Sequence, residues 1–281
     1  MNNSLGPIRK TLERLGIAFT KTDTLKELVL KQRQLERTER FHAFLTHLNP
    51  DSIRTALRML PSSRSESFPD IFAMLVLGEL QNGFFVEFGA TDGVDGSNSY
   101  MMEKTYGWSG ILAEPGRCWH ASLHNNRNAK ISHQCVWRES GVSLTFRETK
   151  DAGFSTIESF ADQDRHGKRR IAAEHYQVKT VSLNQLLIDN DAPKTINYLS
   201  IDTEGSEFEI ISSLDFDKTR PMILTIEHNY RPNRSSVIQL VNERGYVQCP
   251  TSVSLFDDWF VCQSLESSLH QIFSIDAFTN A

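Results

Sequence analysis

The sequence is poor in the features that announce a disulfide framework or a thiolate metal centre. Its four cysteines, Cys118, Cys135, Cys249 and Cys262, form no C-x-x-C pair and no zinc-ligand spacing. Long apolar runs are missing as well. The most hydrophobic stretch, IFAMLVLGEL at 71–80, is too short for a bilayer, which takes about 20 residues. No basic leader with an apolar core and a small-residue cleavage site opens the chain, so a reducing, cytoplasmic setting is the expectation. A strong charge of one sign is also lacking: the net charge of -5 gives no indication of a nucleic-acid partner or an anionic membrane. Two phosphate-binding patterns are absent. There is no G-x-x-x-x-G-K-[ST] loop, and Thr91 stands where G-x-G-x-x-G would need its second glycine.

What is present is a globular composition of 281 residues, 39% hydrophobic and 23% charged, enough for one large domain or one domain with an extension. Charge is uneven along it. Residues 1–64 carry 12 Lys and Arg against 6 Asp and Glu, which fits either contact with an anionic partner or a solvated helical surface. Residues 1–80 read as a helical extension. Leu25, Leu28, Val29 and Leu35 fall near one helix face, and Ile53, Leu57 and Leu60 near another. Asn49-Pro50-Asp51 and Pro61-Ser62-Ser63 separate these segments, and residues 70–80 form a more buried third helix. Such amphipathic helices could pair two chains into a homo-oligomer.

From residue 81 to 281 the texture alternates between strand and helix. Strands are expected at FFVEFGA (84–90), GILAEPG (110–116), KISHQCVW (130–137), NYLSIDTEG (197–205) and MILTIEHN (222–229), with GVSLTFRE (141–148) as an extra one. Helices are expected between most of them, including TVSLNQLLID (180–189) with Ser182 as its N-cap. YVQCP and DWFVCQ supply two last strands, close in sequence and so antiparallel. This pattern is that of an α/β domain with a mainly parallel sheet. The segment 150–175 is polar and irregular. Its basic patch, His166, Lys168, Arg169 and Arg170, reads as a lid facing an anionic acceptor or as an exposed loop.

Ligands of open α/β sheets sit beyond the carboxyl ends of the strands, and here those ends are acidic. The first runs Glu87-Phe88-Gly89-Ala90-Thr91-Asp92-Gly93, the second Ala113-Glu114-Pro115-Gly116, the fourth Asp202-Thr203-Glu204-Gly205, and the fifth Glu227-His228-Asn229. Gly89 and Gly93 would let a ligand approach the backbone closely. An acid beside that turn repels a pyrophosphate but suits a cation, and an acid after the second strand suits ribose hydroxyls. Taken singly, each acid could be a solvated edge or turn residue. Together they describe a nucleoside bearing a positive group, as in S-adenosylmethionine.

The segments FVEFGATDGVDGSNSYMMEKTYGWSGILAEP (85–115), NNRN (125–128), TVSLNQLL (180–187) and YLSIDTEGSEFEII (198–211) resemble the FkbM family of S-adenosylmethionine-dependent methyltransferases. The resemblance runs from Gly83 to Gln263. It implies a class I, Rossmann-like fold with a seven-stranded sheet whose last strand is antiparallel. It further implies a cofactor held by Glu87, Gly89, Ala90, Asp92, Gly93, Asn98, Glu114, Pro115, Val136 and Asp202, and methyl transfer to a hydroxyl of a small molecule or carbohydrate. Glu87 stands where many members carry Asp, a longer side chain able to fill the same role. A non-catalytic binding or scaffold protein on the same fold is the alternative.

A hydroxyl acceptor needs a base within hydrogen-bond reach. His228, Asp202 and Glu204 are the candidates, with His228 first because its ordinary pKa lies near neutrality. Asp202, Glu204, Glu227 and His228 could also converge on a divalent ion such as Mg²⁺.

Overall fold

Short apolar strands separated by short helices are what the chain adopts from residue 84 onward. A computed structural model describes residues 22–163, 167–274 and 277 of the protein. Contacts divide the chain into two units, Met1–Ala43 and Phe44–Ala281. In the first unit residues 22–43 are helical and make up most of α1 (Thr22–His47). Leu28, Val29, Leu30 and Leu35 on this helix are exposed; the side chain of Leu25 lies outside the described residues.

The second unit begins with α2 (Pro50–Met59) and α3 (Pro69–Val76). Asn49 caps α2 by accepting a 2.8 Å hydrogen bond from the Ser52 amide, and Pro50 occupies the first turn, where its missing N–H costs nothing. The buried face of α2 is Ser52, Ala56 and Met59, not the expected Ile53, Leu57 and Leu60. Small residues at 52 and 56 let the helix backbone approach its neighbour, leaving Leu57 half-exposed. Every residue of α3 is buried, and Phe72 stacks on Trp259 with ring centroids 4.8 Å apart. Residues 44–80 thus fall in the same contact unit as the sheet.

The elements continue with β1 (Phe84–Phe88), α4 (Tyr100–Tyr106), β2 (Ser109–Ala113), α5 (His120–Asn126), β3 (Lys130–Ser132), β4 (Cys135–Trp137), β5 (Ser143–Thr149), β6 (Thr156–Ile157) and β7 (Ala173–Ser182). Then come α6 (Leu183–Asp189), β8 (Thr195–Ile201), α7 (Glu207–Ser212), β9 (Arg220–Glu227), α8 (Arg234–Glu243), β10 (Tyr246–Gln248), α9 (Thr251–Ser254), β11 (Asp257–Cys262) and α10 (Glu266–Ile272).

Seven strands form the main sheet in the order β10-β11-β9-β8-β1-β2-β3. Every neighbouring pair is parallel except those of β11, which runs antiparallel to β9 and β10. The central strands are buried on both faces and largely apolar, with Glu87, Ser200 and Thr225 as buried polar residues among them. Because β1 lies between β8 and β2, the strand order reverses beside it, and a crevice opens at that point. A second sheet, β4-β7-β5-β6, stands beside the first.

Two expectations fail locally. KISHQCVW is two strands rather than one. The polar pair His133-Gln134 breaks it, sending β3 to the edge of the main sheet and β4 into the second. Thr180-Val181-Ser182 ends a ten-residue strand, because the alternation HYQVKTV outweighs the helix signal that follows. Helix α6 starts one residue later, with Ser182 Oγ accepting from the Gln185 amide as expected of an N-cap. Among the described residues no helix is long and apolar enough to cross a membrane.

Candidate active site

A cleft with about 630 Å³ of free volume, part of it open to solvent, lies at the carboxyl ends of β1, β2, β4 and β8. Gly89, Thr91, Glu114, Pro115, Cys135, Val136, Asp202 and Glu204 line it. So do Phe146 of β5 and the segment 152–157, through Ala152, Gly153, Ser155 and Ile157.

Glu114 stands where a ribose-binding acid was expected. It is buried, and its two oxygens accept from the Thr91 amide at 2.9 Å and the Gly116 amide at 2.6 Å. A carboxylate has about four lone-pair sites, so each oxygen keeps capacity for a hydroxyl. Burial pushes its pKa up to about 7 despite those two amides. Pro115 and Val136 also face the cleft, as expected.

Glu87 is placed otherwise. It is absent from the cleft wall, and its oxygens are committed inward. Oε1 accepts from the Asn98 amide at 2.7 Å, and Oε2 from the hydroxyls of Ser97 at 3.0 Å and Ser99 at 2.5 Å. The fully buried Arg127 stands 3.8 Å from Glu87, pairs with Glu103 at 3.0 Å, and donates to the Gly93 carbonyl and both serine hydroxyls. Glu87 thus shapes the 93–99 loop from within. Asp92 is a turn-former, its Oδ1 accepting from the amides of Val94 and Asp95. Asn98 donates to Ser200 Oγ at 3.0 Å, Ala90 is buried, and neither lines the cleft.

The glycines serve close packing within the protein rather than room for a ligand. Gly89 has φ +74°, and a Cβ there would stand 1.8 Å from the Asp202 carbonyl oxygen. A Cβ on Gly93, at φ +78°, would meet the side chains of Arg127 and Leu123 at 2.5 and 2.7 Å.

The acids beyond β8 and β9 form a second centre. Asp202, Glu204 and Glu227 each offer an oxygen within 4.8 Å of the others. Burial raises the pKa of Asp202 well above the usual carboxylate range, and the Glu204 charge adds to it. Glu227 is raised by burial and then by Asp202. Its Oε2 has no hydrogen-bond partner among the described residues. Glu204 is more constrained, because the buried Arg170 donates to its Oε2 at 2.7 Å while Thr156 and Arg231 donate to its carbonyl. Thr91, Glu204, Asn229 and Tyr230 all hold left-handed backbone at these strand ends, a strain that concentrates at working sites.

His228 does not join them. It lies outside both the cleft wall and the carboxyl trio. Its Nδ1 accepts from the Tyr230 amide at 3.0 Å, and burial lowers its pKa. Nor is Arg170 part of an exposed basic lid. Its guanidinium is buried, donating to the carbonyls of Phe154 and Ala161 as well as to Glu204. Lys168 is exposed; His166 and the side chain of Arg169 lie outside the described residues. The 152–157 wall of the cleft was missed because polar, irregular sequence carries no periodicity to place it.

A mostly parallel seven-stranded sheet with one reversed strand, and a cleft at its switch point, give the Rossmann-like class I architecture. Residues 87–248 match the Methyltransferase FkbM domain, and the chain belongs to that family. Membership brings S-adenosylmethionine-dependent methyl transfer with it. No curated protein matches the chain in sequence. Two solved structures resemble it loosely. One is precorrin-6y C5,15-methyltransferase of Geobacter metallireducens GS-15, with 9% identity over 68% of this chain and 85% of that one and a TM-score of 0.38. The other is the fibrillarin/Nop5p complex, with 10% identity over 67% and 77% and a TM-score of 0.31.

Proposed function

We propose that the protein is an O-methyltransferase acting on a hydroxyl of a small molecule or carbohydrate. The supporting observation is the partly buried carboxyl pair Asp202–Glu227, one member of which faces the cleft with a raised pKa. Burial and then repulsion from neighbouring acids raise both pKa values, so each carboxyl is a stronger base than an ordinary one. Such a group accepts a hydroxyl proton and hydrogen-bonds a polyhydroxylated acceptor.

When bound, S-adenosylmethionine supplies an electrophilic methyl group and leaves as a neutral thioether. Glu114 would accept the ribose hydroxyls through its remaining lone pairs, and the acids of the β8 turn would lie toward the cationic methionine end. Asp202 would take the proton of the acceptor hydroxyl, the methyl group being what the bound cofactor would supply. The walls from 152–157 exclude water and hold the acceptor in line, which accounts for much of the rate in such displacements.

A divalent ion is the second reading, favoured by the convergence of Asp202, Glu204 and Glu227. Mg²⁺ suits three carboxylate oxygens, and unchanged activity after exhaustive chelation removes it. The exposed leucines of α1 support pairing of two chains, which sedimentation tests. The overall charge gives no support to a nucleic-acid partner, and a cytoplasmic setting accompanies this reading.

Titration calorimetry with S-adenosylmethionine, then a screen of hydroxylated acceptors, sugars first, following S-adenosylhomocysteine, tests the proposal. Absence of cofactor binding favours the scaffold alternative, and methylation confined to nitrogen or carbon acceptors removes the O-methyl assignment.

A further inference from the structure

His120 and His124 are four residues apart on α5, which places both rings on one face of that helix. The chain then passes through β3 and returns His133 against them. Nε2 of His133 lies 3.0 Å from Nε2 of His124, and its ring stacks on that of His120 with centroids 3.6 Å apart. His124 and His133 are exposed, whereas the Nε2 of His120 is turned to the Glu114 carbonyl at 3.2 Å. Methyl transfer uses none of these rings.

We propose that His124 and His133 form a binding site for a transition-metal ion of the Zn²⁺, Cu²⁺ or Ni²⁺ class, with His120 packed behind them. A 3.0 Å contact between two ring nitrogens needs one of them unprotonated, and the neutral imidazole is the form that ligates metal. Tetrahedral zinc with bonds of about 2.0–2.1 Å sets its nitrogens about 3.3 Å apart, so the pair need open only by tenths of an ångström. Exposed rings can do this by rotating. Imidazole selects Zn²⁺, Cu²⁺ and Ni²⁺ over Mg²⁺ and Ca²⁺, which prefer oxygen. The histidine pair and the Asp202–Glu204–Glu227 trio therefore sort ions by hardness.

Calorimetry of the intact chain with ZnCl₂ is the test, with melting temperature as a second readout. The expected result is one site that raises the melting temperature and persists in excess MgCl₂. His124→Gln and His133→Gln each weaken it by about tenfold or more, and each variant melts like the parent without zinc. No zinc uptake by the parent overturns the proposal, as does uptake unchanged in the double variant. Loss of the site on Cys118→Ser alone assigns the zinc to the exposed thiol and overturns it equally.

Discussion

Glu87 near the end of β1 and Glu227 at the end of β9 lie on the same edge of one sheet, yet their surroundings differ. Three hydrogen bonds and a buried arginine satisfy Glu87, whereas Glu227 has a raised pKa and an oxygen with no hydrogen-bond partner among the described residues. A buried acid whose lone pairs are filled by its own chain maintains geometry. One left underpaired beside a cleft-lining acid such as Asp202 retains capacity for a ligand or a proton. The sequence presents both as acids at strand ends, and only the partners separate them.

The most disruptive way to break this contrast is Arg127→Met. It removes the buried guanidinium that pairs with Glu103 and donates to Ser97 and Ser99 around Glu87, and should cost about 3–5 kcal/mol by denaturant unfolding; a cost below about 1 kcal/mol would show the network to be decorative. Asp202→Asn probes the other side. Turnover should fall by about 10²–10⁴ with stability held or improved, since the change relieves repulsion with Glu227. Retained turnover would remove Asp202 as the base.

A third test uses Asp257, whose pKa burial lifts to about 7 although Ser67 donates to it at 2.9 Å. A folded value above the unfolded one gives stability that is complete below about pH 4 and is lost as pH rises through 7. Between pH 5 and 8 the parent should therefore lose about 2–3 kcal/mol more than Asp257→Asn does. Equal losses in unfolding experiments would contradict the burial argument. The smallest effect is expected at His228→Ala. Losing the acceptor for the Tyr230 amide should cost about 1 kcal/mol of stability. Turnover should change by less than about tenfold, against the hundredfold or more lost with a true base. A larger loss would return His228 to the chemistry.

The strands carrying the cleft were readable because burial on both faces writes itself as mostly apolar runs, unbroken in Ile111–Ala113 and interrupted once each by Glu87 in β1 and Ser200 near the end of β8. Glu114 was readable from its place after the second strand. The inward turn of Glu87 was not, because Ser97, Ser99 and Arg127 meet it only once the chain has folded. The division of KISHQCVW between two sheets was equally hidden, since both halves have strand propensity and pairing alone decides between them. Arg170 read as solvated charge for the same reason: its partners Phe154, Ala161 and Glu204 are distant in sequence.

Gly89 carries a consequence for how this site can change. The Asp202 carbonyl fills the space a side chain at 89 would need, so the turn after β1 and the turn after β8 pack backbone against backbone. Neither can be displaced without pushing the other. Substitutions that reshape one half for a new acceptor must be neutral to the other, or arrive in compensating pairs, and that confines diversification to the 152–157 wall and the loops farther out.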